Sequence, residues 1–236
     1  MNNSEREEPL KYYFGKYGFD VSTVKRVVTG EKYFGLMLND GRIGVCATLK
    51  RNAGIEDMND MSFPDLENPD HRLIYNAYLN ALLNYEADYS DEKDIFDFVN
   101  FGNYKKVVMI GDFKPLVRKF QDVGLSVSVF DLFSDSDVII PIELREEYLG
   151  EADGVILTAT SIFNGTFVDM LRSVNENCEV FILGPTAILD KEMKEYGNIK
   201  VVFGTIFERD DNRVLDVIAD NYGTRHFQKF GKKVYI

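Results

Sequence analysis

From position 106 onward the chain repeats one pattern: a short apolar run, a small-residue turn, then apolar residues at helical spacing. Val107–Ile110 leads to Leu116, Phe120 and Val123, and Leu125–Phe130 ends at Asp131. A brief apolar run at 138–140 is closed by Pro141, and a helix is predicted over Glu143–Leu149. Gly154–Leu157 changes abruptly to Thr158, Thr160, Ser161, Asn164, Gly165 and Thr166. Phe167, Met170, Leu171 and Val174 then fall at i, i+3, i+4 and i+7, an amphipathic helix for which Asn164 is placed as N-cap. Glu179–Leu183 ends at Gly184-Pro185-Thr186, Asp190 is placed to cap a helix ending at Gly197, and Lys200–Phe203 ends at Gly204-Thr205. Predominantly apolar strands alternating with helices, led by the continuous run Val107–Ile110, predict a mostly parallel sheet covered on both faces. A last helix spans Asp211–Tyr222.

The first part of the chain has a different rhythm. Leu10, Tyr13, Phe14 and Tyr17 form a helical stripe, opened either by the Ser4–Glu7 capping-box spacing or by Pro9 as first residue. Val21–Thr29 is strand-like. Tyr33–Asn39 and Arg42–Leu49 flank Asp40-Gly41, a hairpin signal that predicts a type I′ turn and three antiparallel strands. Residues 50–70 are polar and irregular. A helix over Pro69–Tyr85 carries Leu73, Ile74, Ala77, Tyr78, Ala81 and Leu82 on one face and Asn76, Asn80 and Asn84 on another. That asparagine row is either a solvated stripe or a set of uncharged groups aimed into a cleft. Residues 87–105 are acidic, with Ser90 placed to cap a short helix through Ile95, Phe96, Phe98 and Val99. The expected organisation is a small α+β domain at 1–86, an acidic helical connection at 87–105 and a Rossmann-like domain at 106–236.

Charge narrows the partners. Twenty-seven Lys and Arg against 39 Asp and Glu leave a net charge of −12, a field that repels nucleic acid and anionic membrane. The 224–236 tail runs against this balance, with Arg225, His226, Lys229, Lys232 and Lys233 and no acid. It reads either as a surface strand or as a flap that brings cations to an anionic ligand. Cys46 and Cys178 lie in separate apolar runs, which fits reduced thiols and a cytoplasmic protein. The first residues show no apolar leader, and no apolar run reaches membrane-spanning length. A homo-oligomer is compatible with the sequence.

The candidate chemistry lies at the strand ends, where open α/β sheets bind ligands. Asp131 follows Gly111 at the spacing of a ribose-binding acid, but the turn G-D-F-K-P has one glycine where the dinucleotide fingerprint needs three. Asp112 and Asp131 are the carboxylates expected at strand ends. Neither H-E-x-x-H nor C-x-x-C occurs, and His71 and His226 build no convincing catalytic triad. A metal would bind oxygen ligands or arrive already complexed.

The runs V-V-M-I-G-D-F-K-P-L-V, V-F-D at 129–131, I-L-T-A-T-S-I-F-N-G-T and F-I-L-G-P-T resemble, in order and spacing, the Rossmann-like domain of a prokaryotic family named for heavy-metal chelation. D-G-R-I-G-V-C-A-T at 40–48 and Y-L-N-A-L-L-N at 78–84 are similar to its partner domain, which has the fold of the enolase N-terminal domain. The resemblance implies a site between the domains. It points to Gly111, Phe113, Pro115, Thr158, Thr160, Asn164, Gly165, Thr166, Gly184, Pro185 and Thr186, with Asn80 approaching from the other side. Asp112, Asp131 and Ser161 join them from the reading of the strand ends. The favoured expectation is a protein that binds a small polar or anionic ligand, or a metal chelate, in that cleft. Two alternatives stay open: a transferase or lyase with a nucleotide-type cofactor, and a non-catalytic partner-binding protein.

Overall fold

The computed structural model describes residues 6–51, 53, 63–87, 89, 93–134 and 136–236. The expected Ser4 and Ser90 caps, and residues 52 and 54–62 of the irregular 50–70 stretch, lie outside the described residues.

Helix α1 (Pro9–Tyr17) starts on proline, with the Glu8 carboxylate accepting from the Lys11 N–H at 3.2 Å. Strands β1 (Val24–Thr29), β2 (Tyr33–Leu38) and β3 (Ile43–Ala47) form an antiparallel sheet in that order. The hairpin forms as expected, but its turn is not type I′. Only Gly41 has positive φ, at 86°, and its N–H donates to the Leu38 carbonyl at 2.9 Å. That is a longer loop with a single left-handed residue. A Cβ on Gly41 would lie 2.4 Å from the Asp210 carboxylate, which keeps the position glycine.

Helix α2 (Pro69–Leu83) is capped by Asn68 and buried on nearly every side, from Leu73 to Ala81. It lies against β2 and β3. A helix buried on both its apolar face and its asparagine face belongs in the interior, and here it separates the small sheet from the large one. Helix α3 (Ile95–Phe98) opens with a capping box made by Asp94 and Asp97.

The large sheet has strands β4 (Val107–Ile110), β5 (Ser128–Phe130), β6 (Gly154–Thr158), β7 (Glu179–Leu183), β8 (Ile199–Phe207) and β9 (Gly231–Tyr235). Their order is β5-β4-β6-β7-β8-β9. All neighbours are parallel except β8 and β9. The order reverses between β4 and β6, the switch point at which such sheets open a crevice. The 138–140 run adds one bridge outside β5, Val129 to Ile139. Helix α4 (Lys114–Asp122) follows β4 and α5 (Arg145–Glu151) precedes β6.

The helix expected behind the β6 turn forms as α7 (Phe167–Ser173), and the turn itself holds an unexpected short helix, α6 (Thr160–Phe163). Asn164 is the C-cap of α6 and not the N-cap of α7, and Gly165, at φ 81°, makes the break. Asp190 caps a five-residue 3-10 turn, Lys191–Glu195, in place of the expected α-helix. Among the described residues no helix is long and apolar enough to cross a membrane.

Helix α8 (Asn212–Ala219) departs from the expected partition. It leaves the large sheet and packs against β1 and β2. There Val214, Leu215 and Ile218 join Met37, Ile43 and Val45 in one apolar cluster. The tail then forms α9 (Thr224–Phe227) and returns as β9. A second cluster runs without interruption from Leu10 and Leu36 through α2 to Val155 and Ile182. The two sheets therefore share a core.

Candidate functional site

An open cleft of about 650 Å³ lies between the small sheet and the carboxyl ends of the large one. Asp112, Phe113 and Pro115 enter it from the β4 turn, and Gly184 and Pro185 from the β7 turn. Lys32 and Tyr33 come from the start of β2; Thr224, Arg225 and His226 come from the tail. The floor is apolar, with Phe113, Leu116, Leu183 and Phe203. The tail is fixed against the small sheet by the Tyr33 and Thr224 hydroxyls at 2.7 Å and by the Tyr33 and Phe227 rings at 4.8 Å.

The cleft is cationic in a chain of net charge −12. Its lining carries Lys32, Lys93, Lys114, Lys119, Arg225 and Lys233 against Asp94 and Asp112. These cations are not equivalent. Lys119 and Lys233 are bound to Asp94 at 3.2 and 3.4 Å, and Lys114 stands 3.8 Å from Asp112. Lys93 has a partner of its own. Lys32 and Arg225 form no ion pair among the described residues, and both are exposed. Burial pushes the Asp94 carboxyl up, but the Phe96 N–H, Lys119 and Lys233 outweigh it and hold it below the usual carboxylate value.

A second depression adjoins the cleft beyond β5, lined by Asp112, Lys114, Asp131, Ser134, Ser136 and Asp137. Asp131 is spent on the backbone there. One oxygen accepts from the Asp112 N–H at 2.8 Å and the other from the Phe133 N–H at 2.7 Å. Asp112 accepts from the Ser134 hydroxyl at 2.6 Å.

The hydroxyl-rich turn after β6 does not line the cleft. The Thr158 and Thr160 hydroxyls meet at 3.0 Å, and buried Ser161 donates to the Thr158 carbonyl at 2.7 Å. Asn164 accepts from the Thr166 N–H and hydroxyl at 3.1 and 2.7 Å. Gly165 is exposed at the bend, and Gly111 abuts the Thr158 side chain. Arg72 of α2 closes this corner. It donates to the Phe163 carbonyl at 2.6 Å, to the Ile162 carbonyl at 2.8 Å and to the Glu8 carboxylate at 2.6 Å. The guanidinium thus satisfies the last carbonyls of α6, which the chain leaves open.

The asparagine row is neither solvated nor in the cleft. Asn76, Asn80 and Asn84 are all buried and hold the segment after β7 as a neighbouring strand would. Asn76 donates to the Thr186 carbonyl at 2.9 Å, and Asn80 to the carbonyls of Val45 at 2.9 Å and Pro185 at 3.2 Å. Asn84 donates to Ala187 and accepts from the Leu189 N–H at 2.7 Å. Thr186 is buried beside them, its hydroxyl accepting from the Ala47 N–H at 3.1 Å. Asn80 thus stands beneath the Pro185 corner instead of closing the cleft from above.

The sequence reading missed Lys32, Tyr33, Lys119 and Asp94 in the cleft, and Arg72 at the closed corner. Arg72 had a visible signal, the one Lys or Arg in a helix whose centre, from Leu73 to Leu83, carries no charge. Lys32 had none, being a lysine in a surface turn.

No group of three His, Cys, Asp or Glu side chains among the described residues can hold a metal ion. Both cysteines are buried, and burial pushes both thiols up, away from the thiolate that binds soft metals. His226 lies against the Tyr222 ring at 4.3 Å.

The family model described as "Putative heavy-metal chelation", DUF364, matches residues 94–236. Two crystal structures of DUF364 proteins of unknown function share the fold. The one from Pyrococcus horikoshii has 21% identity and a TM-score of 0.79, covering 97% of this chain and 98% of that one. The one from Desulfitobacterium hafniense DCB-2 has 19% identity and a TM-score of 0.75, covering 96% and 97%. No curated protein matches.

Proposed function

The chain belongs to the DUF364 family, and from that premise we propose that its cleft binds a small anionic molecule, or an anionic chelate that already holds its metal. One observation carries this reading: Lys32 and Arg225, unpaired among the described residues, face an apolar-floored cleft in a strongly acidic chain. Unpaired cations beside a low-dielectric surface attract anions more strongly than the same groups in open water. Lys114 adds a third charge, and the Gly184-Pro185 turn gives backbone access. The donor set supports a chelate over a bare ion. Thiols and carboxylates are not gathered here, so the bound molecule would supply the metal's ligands itself.

The test is calorimetric titration of the full chain with citrate, ferric citrate and pyrophosphate at low salt. Binding by at least one of them is expected, weakened about tenfold in Arg225→Ala, as for a cation contacting a charged ligand. Titrations flat for every probe, or an Arg225→Ala protein that binds like the parent, would end the proposal.

A nucleotide-type cofactor is the second reading, favoured by the acid-lined depression beside the cleft, where carboxylates can accept from sugar hydroxyls. It is weakened by Asp131, whose two oxygens are already held by backbone N–H groups. Adenosine nucleotides added to the same titrations decide it.

A further inference from the structure

The geometry points to Asp94 as a resident counter-ion that limits how much negative charge the cleft accepts; this rests on the anion-binding reading above. Asp94 sits in the cleft lining with both of the lysines it holds. Lys119 of α4 reaches one carboxylate oxygen at 3.2 Å, and Lys233 of β9 reaches the other at 3.4 Å. One carboxylate from the chain itself therefore occupies a two-lysine position in which an anionic ligand group would fit.

The carboxylate is not free to leave. Its first oxygen also accepts from the Phe96 N–H at 3.2 Å, and the Asp97 carboxylate accepts from the Asp94 N–H at 3.3 Å, closing the capping box. Swinging Asp94 away would uncap α3. The two lysines are thus withheld, and an incoming anion meets chiefly Lys32, Lys114 and Arg225. Replacing the carboxylate by an amide would release Lys119 and Lys233 toward the cleft. The gain should be greatest for the most highly charged ligand, since each added charge interacts with both freed cations.

Asp94→Asn separates this role from capping, because asparagine caps a helix about as well as aspartate. The full-length variant and parent are titrated with pyrophosphate and inorganic phosphate at low salt. Pyrophosphate affinity is expected to rise about tenfold in Asp94→Asn, with a smaller rise for phosphate. The rise is expected to vanish when Lys119→Met and Lys233→Met are added. A parent that binds pyrophosphate while Asp94→Asn binds it no tighter sinks the counter-ion role alone. So does a gain that survives loss of both lysines. Folded proteins that bind neither anion, parent and variant alike, bring down the cleft reading and this one together.

Discussion

Two corners of the same sheet end differ in a way that composition does not foretell. The β6 corner, Thr158 to Thr166, is rich in hydroxyls and carries a bend that looks made for a ligand. The β4 and β7 corners offer a phenylalanine, a lysine and two prolines. Yet α2 packs on the first, where Arg72 takes its open carbonyls, while the second stays open as the cleft. Small polar residues at a strand end serve a docking helix as well as they serve a guest. Which of the two arrives is decided by the rest of the chain.

The comparison breaks most visibly at Arg72. Its side chain is 9% exposed and paired with Glu8, which is 20% exposed. Arg72→Ala is expected to cost about 2–4 kcal/mol, because it strands a half-buried carboxylate and two buried carbonyls. Urea denaturation measures it, and a loss below 1 kcal/mol would mean the corner is held by something else. Asn84→Ala removes one donor and one acceptor from a buried strand-like contact and should cost about 1–3 kcal/mol. Thermal melting gives that value. Asn164→Ala should lower stability by only about 0.5–1 kcal/mol, as loss of a turn-capping side chain does. It should leave pyrophosphate affinity unmoved; a clear drop would return the β6 corner to the site.

Acid gives the smallest effect. Asp94 and Glu179 both sit below their ordinary values, Glu179 through Lys200 first and the Tyr104 hydroxyl second. Their stabilisation is complete above about pH 4.5 and is lost as pH falls through the depressed folded values. The urea midpoint should fall between pH 4.5 and 3. Added salt should shrink the drop, since both pairs are partly exposed. A flat midpoint over that range would contradict the ion-pair geometry.

The parallel sheet was legible because its strands are mostly apolar and alternate with helical stripes, and the three-stranded sheet because Asp40-Gly41 stands between two strand-like runs. The β4 and β7 turns of the cleft were legible for the same reason: strand ends can be read from hydrophobic patterning. Burial of Asn76, Asn80 and Asn84 was not. Their four-residue spacing fits a wet stripe equally well, and only the segment after β7, more than a hundred residues away, turns them inward. Lys32 and Arg225 are nearly two hundred residues apart, and no local pattern brings them to one rim. The short helix α6 went unseen because Thr158, Thr160, Ser161, Asn164 and Gly165 have the composition of a turn, and four residues are too few to show helical spacing.

Helix α8 has a consequence for how the molecule is made. The first three strands leave the ribosome well before the helix covering their second face, which follows the end of β3 by about 165 residues. Until then Met37, Ile43 and Val45 have only each other, and the nascent protein presents an uncovered apolar surface of the kind chaperones recognise. A chain lacking residues 212–236 would expose part of that surface permanently and should aggregate instead of giving a shortened, working protein.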